Sequence, residues 1–487
     1  MRFCQFLKLA FFGGFLFHFD PFVILIVSLK DKSLSGYRIL CYNQKERDER
    51  TSIFNTHFKE TMMKNSFLNQ VIYQIFVRNY SPEGNLKAVS NSLDLILSSG
   101  ADILYLMPIQ PIGVDQRKGT YGSPYSILDY RSIDPEQGSK EDLIQLCHLI
   151  HQKGKRIILD MVFNHTSRDS LLSKEHPEYF YKDKNGNFAN KIGSWADVID
   201  LDHNHEELEE YLIDVLKLYK SYGIDGFRFD VASFLPPSFY KKAKASLKED
   251  TIFLGECIDN PFLLYTRSVG FPAYSNSELA LAGVDLFYPY ASYTPLEDYL
   301  RTKEERYLEQ YKYALALEEG SLPQGKYVAR SIENHDRDRI ASYSKEETFT
   351  RSLLTLSFFT MGPAFVYMGE EYKATHKPEL FEKDVISKEI KDEDYYNFYL
   401  KLVSLKKREK NLSCLATEVL ESDYHTLLLK NSFADNKEEY ALLPFKAEEM
   451  TFPLPDGRYL NLLKDETIEI KNGSLKIREP HWLTRLD

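Results

Sequence analysis

Cysteine is scarce: five residues (Cys4, Cys41, Cys147, Cys257 and Cys414) in a chain of 487. They are odd in number, widely scattered and never spaced as CxxC, so neither a thiolate metal site nor a disulfide framework is expected. Free thiols in a reducing, cytoplasmic setting fit that usage, with an N-terminal membrane anchor or secretion as the alternative. Positive charge is in deficit: 61 Lys and Arg face 72 Asp and Glu, for a net charge of −11. Phosphate backbones are bound by a cationic surplus, so nucleic acid is excluded as a partner class. Tryptophan is nearly absent, at 2 residues, yet aromatics reach 14% through 33 Tyr and 32 Phe. Most of these belong in a large core; exposed ones would offer flat apolar faces of the kind that sugar rings stack on. No GxGxxG follows the first strand-like run, which removes the main signature of a dinucleotide-binding open sheet.

The long apolar run from Phe3 to Leu29 is broken by Lys8, His18, Asp20 and Pro21, a poor pattern for a membrane-spanning helix. Residues 30–61 show no clear periodicity, and Met62 and Met63 stand just before the first strand-like run. Residues 1–62 are therefore expected to be an irregular extension outside the fold, and a membrane partner is not expected.

From Val71 onward short apolar runs alternate with amphipathic helical patterns, which implies parallel strands with crossover helices. The strands are predicted at Val71–Val77, Asp102–Met107, Arg156–Phe163, Asp225–Asp230, Thr251–Gly255, Asp285–Tyr290, Tyr327–Ile332 and Ala364–Met368. Helices are predicted over Asn85–Ser98 and His205–Tyr222. Eight strands over some 350 residues (63–410) suit a closed α/β (β/α)₈ barrel, the TIM barrel. Ser167–His203, about residues 167–203, is long, polar and aromatic, and reads as an inserted subdomain after the third strand. Residues 411–487 carry short strands with Asp456-Gly457 and Asn472-Gly473 as hairpin signals, and predict a C-terminal all-β sandwich.

Function in such a barrel sits where the strands end. The third strand runs into Asp160-Met161-Val162-Phe163-Asn164-His165, the fourth into Gly226-Phe227-Arg228-Phe229-Asp230, the fifth into Gly255-Glu256, and the seventh into Glu333-Asn334-His335-Asp336. One buried ion-pair network accounts for one such end, not for four. Paired carboxylates at one rim suit acetal hydrolysis, with one attacking the anomeric carbon and the other protonating the leaving oxygen. Arg228 lies two residues before Asp230, on the same strand face, where its charge would lower the Asp230 pKa. Asp160 reads as a buried partner of Arg228, while His165 and His335 can donate to sugar hydroxyls.

Together the four strand ends resemble the signature regions of the α-amylase superfamily, in order and spacing. The resemblance spans about residues 71–410, including Gly119–Tyr130 and Met361–Glu371. It implies retaining action on α-glucosidic bonds of oligosaccharides or α-glucans, with Asp230 as nucleophile, Glu256 as acid/base and Asp336 as transition-state stabiliser. It also implies Tyr125, His165, Arg228 and His335 as substrate-binding residues. Alternatives are a transferase or phosphorylase acting on a disaccharide such as sucrose or trehalose, and an inactive amylase-like scaffold anchored by its N-terminus. The three carboxylates count against the scaffold.

Two departures matter. Many α-amylases carry a His four residues after the nucleophile whose backbone helps hold calcium; here Phe234 stands there, so no metal is assigned, although Asn164 remains a candidate ligand. Many exo-acting relatives close the site with an Asp three residues before the stacking Tyr; here Gly122 offers no side chain, which predicts an open groove walled by Tyr179, Phe180, Tyr181, Phe188 and Trp195. Asp197, Asp200 and Asp202 are expected on the solvated surface.

Overall fold

A computed structural model describes residues 67–486 apart from 194 and 249, and the backbone of three strands nearer the N-terminus. Those strands, β1 (Phe15–Phe19), β2 (Phe22–Asp31) and β3 (Leu34–Asn43), pair as an antiparallel sheet in a unit of its own, Met1–Ser66. The rest of the expected extension over 1–62 lies outside the described residues. The second unit is Phe67–Asp487.

In the second unit eight parallel strands follow one another: β4 (Val71–Ile75), β5 (Ile103–Leu106), β6 (Arg156–Met161), β9 (Gly226–Phe229), β10 (Ile252–Gly255), β11 (Leu286–Phe287), β12 (Tyr327–Val328) and β13 (Ala364–Tyr367). The short strands β7 (His165–Ser167) and β8 (Val198–Asp200) belong to the insertion and pair with each other. A parallel bridge from Arg330 to Ala364 joins the two edge strands, so the sheet closes into the predicted barrel. The predicted helix over Asn85–Ser98 is two, Leu86–Asn91 and Leu93–Ser98, because Ser92 leaves helical geometry at φ −96° and ψ 7°.

Alternation along the strands sorts the core into two shells. Val71, Tyr73, Leu104, Ile157, Leu159, Phe227, Phe229 and Phe253 face the surrounding helices. Ile72, Ile103, Ile158, Ile252, Leu254, Leu286 and Phe365 fill the barrel interior. Moving two residues on along β4, β5, β6 and β10 turns that apolar floor polar, to Gln74, Tyr105, Asp160 and Glu256. Gly226 lacks a side chain of necessity: a Cβ there would lie 2.4 Å from the Ile252 carbonyl oxygen.

The C-terminal strands are β14 (Cys414–Leu420), β15 (Thr426–Phe433), β16 (Glu438–Pro444), β17 (Met450–Pro453), β18 (Gly457–Asn461), β19 (Glu466–Ile470), β20 (Ser474–Ile477) and β21 (His481–Arg485). A six-stranded sheet ordered β14-β15-β16-β21-β18-β19 packs on the β17-β20 pair through Leu428, Leu442, Phe452, Leu454 and Tyr459. Asn472-Gly473 does turn a hairpin, at φ 65° and 72°, but Asp456-Gly457 does not. Lys471 and Ser474 pair directly across Asn472-Gly473, whereas the Asp456 carboxylate accepts from the Gly473 amide at 2.7 Å.

All eight barrel strands lie after residue 66, so deleting residues 1–61 is expected to leave a folded and active protein. Loss of activity on a substrate that the full chain turns over would overturn that expectation.

Candidate active site

The strand ends predicted from sequence meet at one rim, and Arg228 is their hub. Its guanidinium is fully buried; Nη1 donates to Asp160 Oδ1 at 2.8 Å and to Asp230 Oδ1 at 2.9 Å, while Nη2 lies 2.8 Å from Glu256 Oε2. Asp160 is held further by Tyr105, whose hydroxyl donates to Oδ2 at 2.5 Å, and by Tyr125 at 3.1 Å. Asp160 is thus the buried partner of Arg228 that the sequence suggests.

Asp230 departs from expectation. Burial pushes its pKa well above the usual carboxylate range; Arg228 pulls it down, while Glu256 and Asp160 push it up. The sequence places the cation correctly but says nothing of how dry the rim is. Asp160 is likewise pushed up to about 6 by burial, against the pull of Arg228.

The turn after Asp230 is strained. Val231 adopts φ 42° and ψ 47°, a left-handed conformation that β-branched residues avoid. That turn aims the Val231 amide at Glu256 Oε2, 2.9 Å away, so the chain leaving the fourth strand holds the carboxyl ending the fifth.

His335 is buried and neutral, its pKa lowered to about 3 by burial and by Arg228. Gln74 Nε2 meets its Nδ1 at 2.8 Å and the Tyr125 hydroxyl its Nε2 at 2.6 Å, and the Tyr125 and His335 rings stack at 5.3 Å. Asp336 is the exposed carboxylate of the group, its side chain 41% accessible, with Oδ2 3.2 Å from His335 Nε2 and accepting from the Tyr290 hydroxyl at 3.3 Å. His165 is buried, with Nε2 3.9 Å from Asp230 Oδ2. Every predicted site residue therefore lies at this rim.

Gln74, Tyr105, Tyr288 and Tyr290 are the partners that sequence reasoning misses. Tyr288 stands over Arg228 at 5.3 Å, and Asn334 donates to the Tyr290 hydroxyl at 2.9 Å. Gln74 carried a signal, as the single amide in the otherwise apolar or aromatic run Val71–Ile75.

The insertion corrects two expectations. Tyr179 and Phe180 are buried in the cluster that also holds the outer faces of the barrel strands, Phe188 packs on Phe180 at 5.4 Å, and Tyr181 sets its edge against Phe271, so these rings serve packing rather than a groove wall; Trp195, 40% exposed, is the ring left open. Asp197 and Asp200 are buried, not solvated: Asp197 pairs with Lys118 at 2.7 Å, and Asp200 accepts from Asn190 and from the Lys191 amide. At Gly122, with φ 77°, the missing side chain leaves no gap: a Cβ would lie 2.8 Å from Ile112 and 2.9 Å from Arg117. Among the described residues no three His, Cys, Asp or Glu side chains group to hold a metal ion, no helix is long and apolar enough to cross a membrane, and Cys147, Cys257 and Cys414 are free and buried.

A closed (β/α)₈ barrel with a carboxylate-rich rim, an insertion after the third strand and a C-terminal sandwich defines the class, a glycoside hydrolase architecture. The family model for the α-amylase catalytic domain matches residues 52–193, and that for the bacterial α-amylase C-terminal domain matches residues 418–480. The crystal structure of an α-amylase from Lactobacillus plantarum is 35% identical, covering 86% of this chain and 99% of that one, with a TM-score of 0.80. A maltogenic α-amylase from Thermotoga neapolitana is 26% identical over 87% of this chain and 100% of that one, with a TM-score of 0.76. The intracellular maltogenic amylase of Bacillus subtilis is 26% identical over 68% of this chain, and the match spans 56% of that protein's length. The chain belongs to the α-amylase family.

Proposed function

We propose that the protein hydrolyses α-glucosidic bonds in maltooligosaccharides and related α-glucans with retention of anomeric configuration, acting in the cytoplasm and without a resident metal. The observation that carries this reading is the single guanidinium of Arg228 gathering Asp160, Asp230 and Glu256 from three neighbouring strands, with Asp336 beside His335 at the end of the seventh. Relatives named maltogenic amylase and cyclomaltodextrinase point to the same substrate class.

In this mechanism Asp230 Oδ2, the oxygen not bonded to Arg228, attacks the anomeric carbon. The glycosidic C–O bond breaks as Glu256 gives its proton to the leaving oxygen. Water then attacks the glycosyl-aspartate, Glu256 takes a proton back, and Asp230 is released. Asp336, close to the neutral His335 and the Tyr290 hydroxyl, stabilises the positive charge that builds on the sugar ring. Arg228 opposes the effect of burial on Asp230, and the developing cation adds to it by favouring the ionised nucleophile.

Product analysis with maltooligosaccharides, isomaltose, sucrose and trehalose tests the reading. The expected result is cleavage of the maltooligosaccharides, with the α-anomer appearing first by NMR. No cleavage of any of these, or first-formed β-anomer, would overturn it; transfer products in place of free sugars would favour the transferase.

Chain length tests the groove. With Trp195 exposed on the insertion and no acidic side chain at Gly122, kcat/KM is expected to rise from maltose to maltohexaose as remote binding energy is expressed in the transition state. A flat or falling series would mean that Arg117 and Ile112, which fill the space beside Gly122, close the site.

A further inference from the structure

Asp336 stands apart from the Arg228 hub, and a helix outside the barrel reaches it: Tyr290–Thr302, which follows the sixth strand. Asn334 is fully buried, and its Oδ1 accepts from the Asp336 amide at 2.9 Å and from the Arg337 amide at 3.0 Å. Those two bonds fix which way the Asn334 amide points, so its Nδ2 donates to the Tyr290 hydroxyl, at 2.9 Å. A hydroxyl has one proton to give. With Asn334 donating to the oxygen, the Tyr290 proton goes to Asp336 Oδ2, 3.3 Å away. Burial and the nearby Asp336 push the Tyr290 pKa well above the usual tyrosine range, so the phenol keeps that proton. The bonds therefore run one way, from Asn334 through Tyr290 to Asp336. His335 Nε2 sits closer to the Tyr125 hydroxyl, at 2.6 Å, than to Asp336, at 3.2 Å.

The Tyr290 ring is held in turn by Arg337. Residues 290, 293 and 297 share one face of their helix, and the Arg337 side chain lies along it. Its guanidinium is 4.8 Å from the centre of the Tyr290 ring and 4.3 Å from that of Tyr293, and Nη1 donates to Glu297 Oε2 at 3.0 Å. Arg301, one turn further on, donates to the other Glu297 oxygen at 2.7 Å. On the opposite side Lys377, from the loop after the eighth strand, donates to the Asp336 carbonyl at 3.0 Å. The backbone at Asp336 is thus tied down, and the torsions of its half-exposed carboxylate are what remain to be set. We infer that Tyr290 is a positioning residue that fixes the Asp336 carboxylate, and that Arg337 acts through Tyr290. The inference rests on the proposed role of Asp336: a carboxylate steadies charge on the sugar best when it is already in place and needs no reorganisation.

The test uses the full chain and reads kcat and KM on maltotriose, Tm, and crystal structures of the variants. Tyr290→Phe, which removes only the hydroxyl, is expected to lower kcat about 10- to 100-fold, the range for losing a hydrogen bond to a charged group, with KM close to that of wild type. Its crystal structure should show the Asp336 carboxylate turned from the wild-type position. Arg337→Met, which keeps the length and drops the planar charge, should lower kcat as well. The double variant should be no slower than Tyr290→Phe alone, because a residue that works through the hydroxyl has nothing left to act on. A merely structural role would lower Tm and leave kcat per folded molecule unchanged, and that result would overturn the inference. Losses that multiply in the double variant would overturn the part assigned to Arg337. Should Tyr290→Phe not fold, kcat and the Asp336 position in Arg337→Met decide the matter. An Asp336 carboxylate unmoved in the variant crystals sinks the inference whatever the substrate proves to be, whereas a wild type that cleaves no α-glucoside sinks the proposed activity instead.

Discussion

Asp230→Asn is expected to bring turnover to the floor of the assay while leaving the protein folded, since an amide accepts the Arg228 hydrogen bond but forms no glycosyl ester. Glu256→Gln should fall about 10²–10⁴-fold on natural oligosaccharides, the range for losing a positioned general acid. Leaving-group dependence separates the two roles. An aryl glucoside with a good leaving group needs no proton, so Glu256→Gln should still form the glycosyl-enzyme with it, whereas Asp230→Asn should not. Near-normal turnover of maltooligosaccharides by either variant would refute its assignment. The measurements are steady-state rates on both substrate types, with thermal unfolding as the check on folding.

The second large effect concerns Arg228. Replacing it with Met, close in length and uncharged, leaves Asp160, Asp230 and Glu256 facing one another without their cation. Removing one side of a buried ion pair costs about 3–5 kcal/mol, and here one residue serves three carboxylates. Arg228→Met is therefore expected to be inactive and strongly destabilised at neutral pH. The loss should shrink in acid. Asp160 and Asp230 are already raised by burial with Arg228 in place, and without it they rise further. A group whose folded pKa lies above its unfolded value contributes stability at pH below the unfolded value, and loses it as pH rises through the folded one. The Tm deficit against wild type should thus be larger at pH 7.5 than near pH 5 (round values either side of the Asp160 pKa of about 6). An equal deficit at both values would mean that lost packing, not uncompensated charge, governs the variant.

Strand alternation and chain order were enough to predict the eight barrel strands, their parallel sense and the polar strand ends, because each depends on residues adjacent in sequence. The same holds for the carboxylates after β9 and β10: a residue that ends a barrel strand stands at the functional rim whatever the rest of the chain does. Closure decided the rest. Gln74 meets His335, and Tyr105 meets Tyr288, across separations of 261 and 183 residues that no local pattern encodes. Asp197 and Asp200 lie in a polar stretch and look solvated, yet docking of the insertion buries both. Burial also reversed the expected shift at Asp230: sequence places Arg228 beside it, but a pKa follows the balance of that charge against desolvation, and desolvation exists only once the barrel has closed over the rim.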